Sequence, residues 1–416
     1  MNESKTNKKF YLILILGFLT AIGPLSIDMY LPAFPDIARS LNTSVARVAL
    51  SLSSFFIGIS VGQLFYGPLL ERFGRKKPLY AGLCIYLLAS IGCAFAASVD
   101  ALIALRLFQA LGGCVGMVAA RAMIRDLFDV KENSKIFSTL MLVGAVSPII
   151  APTLGGYITA ALSWHYVFVM LIIIAVSILI GIHFLLPETK KPDPGFSLKP
   201  GAIIKSYVSV VTHPQFYTYA LTAAVSAASI YTYIGGSPHV FMEIYKVNEK
   251  QYGWIFALIA MGLIGASQLN SVLLKNYTSE QIIKVALTCQ TIIGAVMVLI
   301  SLFGWGDLFI TIFFIFIFFC CQGFVFPNAS ALSLAAFGHN AGSASALLGG
   351  IQMGIGAGTS ALVSFLQNNT ALPMMGIMAC CAISALSVFL LGRKIIITRA
   401  STEAVEEEDI DMISTL

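Results

Sequence analysis

Long apolar segments separated by short polar connectors repeat along the whole chain. Each has about 20 residues or more, the length that an α-helix needs to cross a bilayer. Twelve transmembrane helices are predicted at about residues 10–32, 46–70, 78–97, 101–120, 136–160, 164–186, 214–240, 251–274, 281–303, 308–336, 342–366 and 371–392. Because helices satisfy their own backbone hydrogen bonds in lipid, the pattern predicts an all-α membrane protein.

Composition agrees with this fold class. The chain is 58% hydrophobic and 11% charged, whereas about 25% of the residues in a soluble protein are charged. Lys5, Lys8 and Lys9 precede the first apolar segment, as they would in a signal peptide. However, that segment is too long for a signal peptide and no small-residue cleavage site follows it, so we expect an uncleaved helix.

Lysine and arginine predict the orientation. They concentrate in the N-terminal tail, in the connectors after the second, fourth, sixth and eighth segments, and in the C-terminal tail. The connectors on the other side carry only Arg39, Arg47, Lys246 and Lys250. By the positive-inside rule both termini are cytoplasmic, in a bacterial inner membrane. The net charge of +5 follows from this topology and gives no reason to expect nucleic acid as a partner.

The longest connector, from Pro187 to about His213, is polar and divides the twelve segments into six and six. We therefore expect an N-terminal six-helix half (1–188), a cytoplasmic connector (189–212) and a C-terminal six-helix half (213–396). Parallel six-helix repeats of this kind are known in transporters. The acidic end, 397–416, is predicted to be a disordered cytoplasmic tail.

The connector after the second segment reads GPLLERFGRKK, residues 67–77. Glycines there allow close helix approach and a tight turn, and the basic residues hold the loop at the membrane surface. The motif resembles the loop signature of the major facilitator superfamily, with Glu71 where that family has Asp. The resemblance implies a gating loop, with Asp126 as an ion-pair partner, formed by Gly67, Glu71, Arg72, Gly74, Arg75 and Lys76.

Two further motifs are similar to those of the same superfamily. RLFQALGG, residues 106–113, matches its arginine–glutamine motif, with Ala110 in place of glycine. GAVSPIIAPTLGG, residues 144–156, resembles its antiporter motif and has Ser147 in place of glycine. Prolines free backbone carbonyls in a helix, so we expect a pivot, or alternatively a purely structural kink, at Pro148, Pro152, Gly155 and Gly156.

The segments PLSIDMYLPAFP, residues 24–35, and SWHYVF, residues 163–168, are similar to the Bcr/CflA branch of drug:proton antiporters within this superfamily. The resemblance extends over the whole chain and is more diffuse in its second half. It implies the major facilitator fold, alternating access and exchange of a drug-like molecule for protons.

Asp28 and Arg106 are the charged residues that lie well inside predicted helices. At 1.5 Å per residue they lie roughly 6 and 9 Å from the same membrane face. A buried carboxylate near an arginine can take up and release a proton as its surroundings change. We therefore predict that Asp28 and Arg106 form the proton-coupling site. The alternatives are a static ion pair that fixes helix packing and a shallow Asp28 that is exposed to periplasmic water.

The second half carries no charge at comparable depth, so its share of a substrate cavity should be polar and aromatic. Such a wall suits amphipathic drugs better than highly charged metabolites. The predicted cavity residues are Tyr30, Gln109, Ser147, Tyr231, Tyr233, Gln322, Asn328 and Gln352.

Other functional classes lack their motifs. The histidines are scattered singly, the cysteines form no ligand cluster, and no phosphate-binding loop is present, so we expect no enzyme, metal or cofactor. The sequence therefore predicts a monomeric exporter whose partners are a small-molecule substrate, protons and membrane lipids. A proton-coupled exporter of an endogenous metabolite or siderophore remains the alternative.

Overall fold

The computed structural model describes residues 2–127, 130–196, 198–337 and 341–414. Within these ranges the chain is all α-helical and contains no strand. The helices are α1 (Asn2–Asp28), α2 (Phe34–Ser40), α3 (Val45–Phe73), α4 (Lys76–Ala94), α5 (Val99–Leu127), α6 (Val130–Ala161), α7 (His165–Leu185), α8 (Pro200–Val211), α9 (Pro214–Pro238), α10 (Glu249–Leu273), α11 (Ser279–Leu302), α12 (Leu308–Leu334), α13 (Ala341–Leu366) and α14 (Leu372–Ser414).

Ten stretches of the described chain are long and apolar enough to cross a membrane. The first of them, Tyr11–Ser40, joins α1 to α2 through a 3-10 turn at Leu31–Ala33. Helices α6 and α9 complete the predicted twelve. Helix α9 is rich in Ser, Thr, Tyr and Gly, and neighbouring helices bury nearly all of its side chains. Its low hydropathy therefore belongs to positions that do not meet lipid, and the twelve-helix membrane fold is confirmed.

Polar residues set several helix starts. The side chain of Asn248 caps α10 and that of Thr278 caps α11, each in a reciprocal capping box. Asp307 caps α12 by accepting from the backbone N–H of Ile310 at 2.7 Å. These side chains satisfy N–H groups that would otherwise have no partner at a helix end.

Helix α8 lies inside the connector that was predicted to be a polar loop. Its Tyr207 Oη donates to the Leu64 carbonyl of α3 at 2.8 Å, and its Ser206 Oγ lies 3.1 Å from Ser343 Oγ of α13. The connector therefore contacts helices from both six-helix groups.

Helix α14 differs from the expectation of a disordered tail, because it continues to Ser414. The acidic segment after Thr402 contains several glutamates and an alanine, which are good helix formers.

The two groups of helices meet along α3 and α13 and along α6 and α10. We call the end that carries Arg72, Arg75 and Lys76 the basic end of the bundle. At the opposite end a Cβ on Gly156 would lie 2.4 Å from the Glu249 carbonyl oxygen, and one on Gly155 would lie 2.1 Å from that of Met29. Only glycine permits these backbone approaches, so this end is tightly closed.

Candidate functional site

A cavity of about 200 Å³ lies between the two groups of helices. Residues from α1, α3, α5, α6, α9, α10, α12 and α13 line it, and most of them are apolar or aromatic. Among the described residues that line it, Asp28 is the only one with a carboxyl group, and Tyr231 and Tyr233 belong to the aromatic part of its wall. Known small-molecule sites span about 300–1,000 Å³, so a larger ligand requires the helices to separate.

Asp28 is the last residue of α1 and is 4% exposed. Within the described chain its carboxylate has neither a hydrogen-bond partner nor an ion-pair partner. It lies within electrostatic reach of Tyr231, Tyr233 and Tyr252. An unpaired charge is costly in such surroundings. The carboxylate is therefore a site where a proton or a cation lowers the free energy.

Arg106 does not pair with Asp28, contrary to the prediction. Its Nη2 donates to the Ser26 carbonyl at 3.0 Å and its Nη1 to Gln109 Oε1 at 2.6 Å. The guanidinium carbon lies 4.6 Å from the ring centre of Tyr30. Residues two apart on a helix point about 200° apart. Arg106 therefore bonds one side of α1, at Ser26, while Asp28 faces the cavity on another.

Arg106 belongs to a buried polar network that joins α1, α4 and α5. Gln109 Nε2 donates to Ser90 Oγ at 2.7 Å, and the hydroxyls of Ser26 and Tyr86 lie 2.7 Å apart. We call Ser26, Tyr86, Ser90, Arg106 and Gln109 the arginine cluster. Phe55, on α3, adds a ring centre 4.1 Å from the guanidinium carbon. The cluster holds a fully buried cation by carbonyl, amide and ring contacts.

Of the predicted cavity residues, Tyr231 and Tyr233 line the cavity. Gln352 lies behind Tyr231 and donates to its hydroxyl at 3.2 Å. Tyr30 instead contacts Ser51 at 3.0 Å and packs against Arg106.

Of the remaining polar predictions, the amide side chains bond other polar side chains within the helix bundle. Gln109 belongs to the arginine cluster, and Asn328 donates to Asn270 Oδ1 at 2.7 Å. Ser147 is buried, and its hydroxyl has no partner among the described residues. Gln322 Oε1 accepts from Ser226 at 2.5 Å and from Gln290 at 2.9 Å. We call Ser226, Gln290 and Gln322 the glutamine cluster.

The sequence did not reveal the apolar walls of the cavity. They include Ile27, Met117, Phe256, Phe319 and Met353. Each lies in an apolar helix where lipid-facing and cavity-facing positions carry the same residue types. No signal in the sequence separates them.

The signature loop is ion-paired at the basic end. Arg75 Nε donates to Asp126 Oδ2 at 2.8 Å and Arg75 Nη1 to Glu71 Oε1 at 3.0 Å, while Lys190 also pairs with Glu71. Burial would lower the pKa of Arg75, but its hydrogen bonds to the two carboxylates outweigh burial and raise that pKa. Arg75 therefore stays charged, and Asp126 is its partner, as the sequence predicts.

The segment after α7 fastens this loop. Glu188 accepts from the backbone N–H groups of Arg75 at 2.7 Å and Lys76 at 3.1 Å. Gly74 has a φ of +79°, a left-handed conformation that favours glycine. The contacts hold the turn between α3 and α4 in one geometry.

Two other residues of the signature loop, Arg72 and Gly67, differ in the contacts that they make. Arg72 donates to the Phe196 carbonyl at 3.3 Å and so helps to fasten the loop. A Cβ on Gly67 would meet nothing within 4 Å. The expected close helix approach at Gly67 is therefore not formed.

The predicted pivot residues of α6 lie at two contacts. Pro148 lines the cavity, and a Cβ on Gly253 of α10 would lie 2.9 Å from the Pro152 carbonyl oxygen. Gly155 and Gly156 form the tight approaches at the closed end. These residues therefore lie where α6 meets both the cavity and the opposing group of helices.

A central cavity between two groups of membrane helices, with an ion-paired loop at one end, defines a small-molecule transporter. The sequence matches the family profile described as Major Facilitator Superfamily over residues 16–361. The chain belongs to this superfamily, in its Bcr/CflA-type branch. It is a multi-pass membrane transporter and not an enzyme.

Its relatives include proteins named for drug resistance. The chain is 32% identical to the "Bicyclomycin resistance protein homolog" of Haemophilus influenzae, over 94% of this chain and 98% of the relative. It is 27% identical to "Multidrug resistance protein D" of Escherichia coli, over 90% and 93%. An "Uncharacterized MFS-type transporter YdgK" of Bacillus subtilis is 34% identical, over 91% and 94%.

Solved structures share the fold. A D-xylose–proton symporter matches with a TM-score of 0.71 at 13% identity, over 91% of this chain and 97% of the other. A bacterial homologue of the lysosomal transporter Spinster, inward-facing and unoccupied, matches with a TM-score of 0.66 at 14% identity, over 92% and 95%. At these identities the likeness concerns the fold alone.

Proposed function

We propose that this chain exports amphipathic, drug-like small molecules from the cytoplasm in exchange for protons, by alternating access. It acts as a monomer in a bacterial inner membrane, with both termini in the cytoplasm. The names of its relatives support drug export, and the distribution of Lys and Arg supports this orientation.

The observation that carries the proposal is the unpaired carboxylate of Asp28 in an apolar cavity. A proton or a cationic substrate can neutralise it, but both cannot do so at once. Competition for one carboxylate links release of the proton to binding of the substrate, which is the requirement for antiport. Arg106 acts on this site through the Ser26 carbonyl of the same helix.

The signature loop supports the gating part of the mechanism. Arg75, Glu71, Asp126 and Lys190 form ion pairs at the basic end, which the proposal places in the cytoplasm. We propose that these pairs form in one conformation and break in the other. The close approaches at Gly155 and Gly156 would then open on the periplasmic side.

The test is uphill transport of tetraphenylphosphonium, a lipophilic cation, in energised everted membrane vesicles. Asp28→Asn should abolish accumulation but retain downhill exchange, because a neutral site can still reorient. Exchange of one proton for one monovalent cation moves no net charge, so the pH difference across the membrane drives accumulation, by about 1.4 kcal/mol per pH unit. Asp28→Glu should keep partial coupling, because it keeps a titratable group.

Asp36→Asn is the matched control, since it makes the same chemical change at a residue that pairs with Arg39 outside the cavity. It should transport like the parent. Full proton-coupled accumulation by Asp28→Asn would refute the proposal.

A further inference from the structure

His239 begins a π-helical segment, His239–Ile244, which follows α9 at the closed end of the bundle. Its Nδ1 lies 2.6 Å from Glu243 Oε2, and its Nε2 lies 2.8 Å from the Asn368 carbonyl oxygen, in the loop between α13 and α14. The side chain of His239 is 14% exposed, so little of it reaches water. Each of its two ring nitrogens therefore contacts an oxygen of the protein.

This geometry sets the number of protons on the His239–Glu243 pair. A neutral imidazole carries a hydrogen on one nitrogen only, and the lone pair of the other nitrogen would then face an acceptor oxygen. Both contacts are satisfied when His239 is an imidazolium beside an ionised Glu243. Glu243 is partly exposed to water, which favours its ionised form. In this conformation the pair therefore holds one proton more than a neutral imidazole and a carboxylate do.

Other charged groups do not replace that proton. Helix α9 and the loop 367–371 carry no charged side chain. The connector after the segment, the first turn of α10 and the N-cap of α12 carry Lys246, Glu249, Lys250 and Asp307. In the described chain none of these four forms an ion pair with the His239–Glu243 pair. Histidine is also the side chain whose charge normally changes between about pH 5 and pH 8.

The segment links the pair to the contact that closes this end. It leads from His239 to Glu249, the first residue of α10. There a Cβ on Gly156 of α6 would lie 2.4 Å from the Glu249 carbonyl oxygen, across the boundary between the two groups of helices. The contact between His239 and Asn368 therefore fixes one end of a short piece of chain whose other end packs against α6.

We propose that the His239–Glu243 pair is a second proton-binding site, separate from Asp28, which takes up its proton when this end of the bundle closes. Loss of that proton leaves one ring nitrogen facing an acceptor oxygen with no hydrogen between them, so one of the two contacts breaks. The closed conformation is therefore favoured at low pH and loses this stabilisation as the pH rises. The inference rests on the proposed function only in placing this end in the periplasm, where acidity then promotes closing.

Hydrogen exchange of the purified full-length protein in nanodiscs, followed by mass spectrometry, measures this closing. Peptides that cover residues 29–36 and 239–249 report on the closed end. The reference protein carries Asp28→Asn, so that titration of Asp28 contributes nothing. Exchange is measured at about pH 5.5 and about pH 8, where histidine titrates, and is corrected for the intrinsic pH dependence of amide exchange. We expect it to be about ten-fold slower at the lower pH, the effect of one hydrogen bond to a charged group.

Glu243→Gln, added to the reference protein, is the decisive variant. Its amide N–H can donate to Nδ1 of a neutral His239, whose Nε2–H then donates to Asn368, so both contacts persist without the extra proton. We expect slow exchange at both pH values, and fast exchange at both in His239→Gln. His165→Gln is the matched control at the same end. The Nδ1 of His165 lies 3.2 Å from the Ser163 hydroxyl, which can donate or accept, so this variant should keep the response of the reference protein.

Equal exchange at the two pH values in the reference protein would overturn the inference. A pH response that persists in Glu243→Gln or in His239→Gln, or one that is lost in His165→Gln, would also overturn it. None of these results depends on coupling by Asp28, which accumulation of tetraphenylphosphonium tests in the protein that retains Asp28. Failure of the inference is therefore distinguishable from failure of the proposed transport function.

Discussion

The arginine cluster and the glutamine cluster occupy matching helices of the two six-helix groups. One centres on α5, the fourth membrane helix, and the other on α12, the tenth. Each contains a buried glutamine. Gln109 bonds Ser90 on one neighbouring helix and Arg106 on its own helix, whereas Gln322 bonds Ser226 and Gln290 on two neighbouring helices. Three residues before the glutamine, however, α5 has Arg106 and α12 has Phe319.

The difference between Arg106 and Phe319 gives the two groups of helices different tasks. Arg106 is a buried cation that bonds the Ser26 carbonyl of α1, the helix that carries Asp28. Phe319 lines the cavity and packs against Tyr233. We therefore expect the first group of helices to couple the proton and the second to contact the substrate. The four predictions below test this division, from the largest expected effect to the smallest.

Arg106→Met should reduce uphill transport of tetraphenylphosphonium by about 100-fold. It removes two hydrogen bonds from a charged donor, each worth about 1.5–3 kcal/mol, and disconnects α5 from the Asp28 helix. Arg106→Lys should be intermediate, because an ammonium keeps the charge without the planar stacking on Tyr30 and Phe55. Accumulation in everted vesicles measures both. Parent-like transport by Arg106→Met would contradict the division of tasks.

The ion pairs at the basic end also differ between the two groups of helices, because the arginine of the first group is the more deeply buried. Arg75 is 2% exposed and contacts two carboxylates, whereas the pair Arg393–Glu280 is 40% and 33% exposed. Arg75→Ala should destabilise the structure by about 3 kcal/mol, because it removes the charged partner of Asp126 and leaves Glu71 paired with Lys190 alone. Arg393→Ala should cost about 0–1 kcal/mol, as exposed pairs do.

Thermal unfolding and transport turnover of the two purified variants test this difference. A larger loss of stability and turnover in Arg393→Ala than in Arg75→Ala would mean that the ion pairs of the signature loop are not the most important ones at this end.

Each cluster has a tightly packed glycine nearby. Substitution of these glycines compares the helix packing of the two groups. A Cβ on Gly58 would lie 2.6 Å from the Leu107 carbonyl oxygen, and one on Gly323 would lie 2.4 Å from that of Leu263. Gly58→Ala and Gly323→Ala should each lower stability by about 1–3 kcal/mol through overpacking. Gly67→Ala is the control with open space, and it should stabilise α3 by about 0.5–1 kcal/mol. A Tm below that of the parent for Gly67→Ala would contradict its open surroundings.

The smallest effect is expected from Gln290→Leu combined with Gln322→Leu. Gln290 Oε1 and Gln322 Nε2 have no partner among the described residues. Replacing both glutamines together removes these costs along with the bond between them, and it also removes the acceptor of the Ser226 hydroxyl. These effects oppose each other, so stability should stay within about 1 kcal/mol of the parent. Tetraphenylphosphonium accumulation should also persist. A loss of transport as large as that of Arg106→Met would make the two clusters functionally equal.

Much of the fold was predictable because bilayer thickness fixes the length of apolar segments. The signature loop was also predictable, because glycine and charged residues have few roles at a membrane surface. The structure places Arg75 against Asp126 and gives Gly74 a positive φ. Helix α8 was missed because a twelve-residue amphipathic segment is too short to register as a membrane span.

The cavity was predicted less well, for a physical reason. Away from water a polar side chain seeks another polar group, and the sequence does not say which helix supplies it. Gln322 and Asn328 find partners inside the second group of helices and do not reach the cavity. The prediction that Asp28 pairs with Arg106 was wrong for a different reason. Equal depth in the membrane does not determine which side of α1 each charged group approaches.

Helix α8 has a consequence for how the membrane itself acts on the protein. Ile204, Val208 and Val211 are exposed on this short helix at the basic end, while Tyr207 and Ser206 contact α3 and α13. An amphipathic helix with an exposed apolar face partitions into the headgroup layer. Lateral pressure in that leaflet then bears directly on the contacts between α3 and α13, so we expect the rate of opening to vary with the lipid composition of the bilayer.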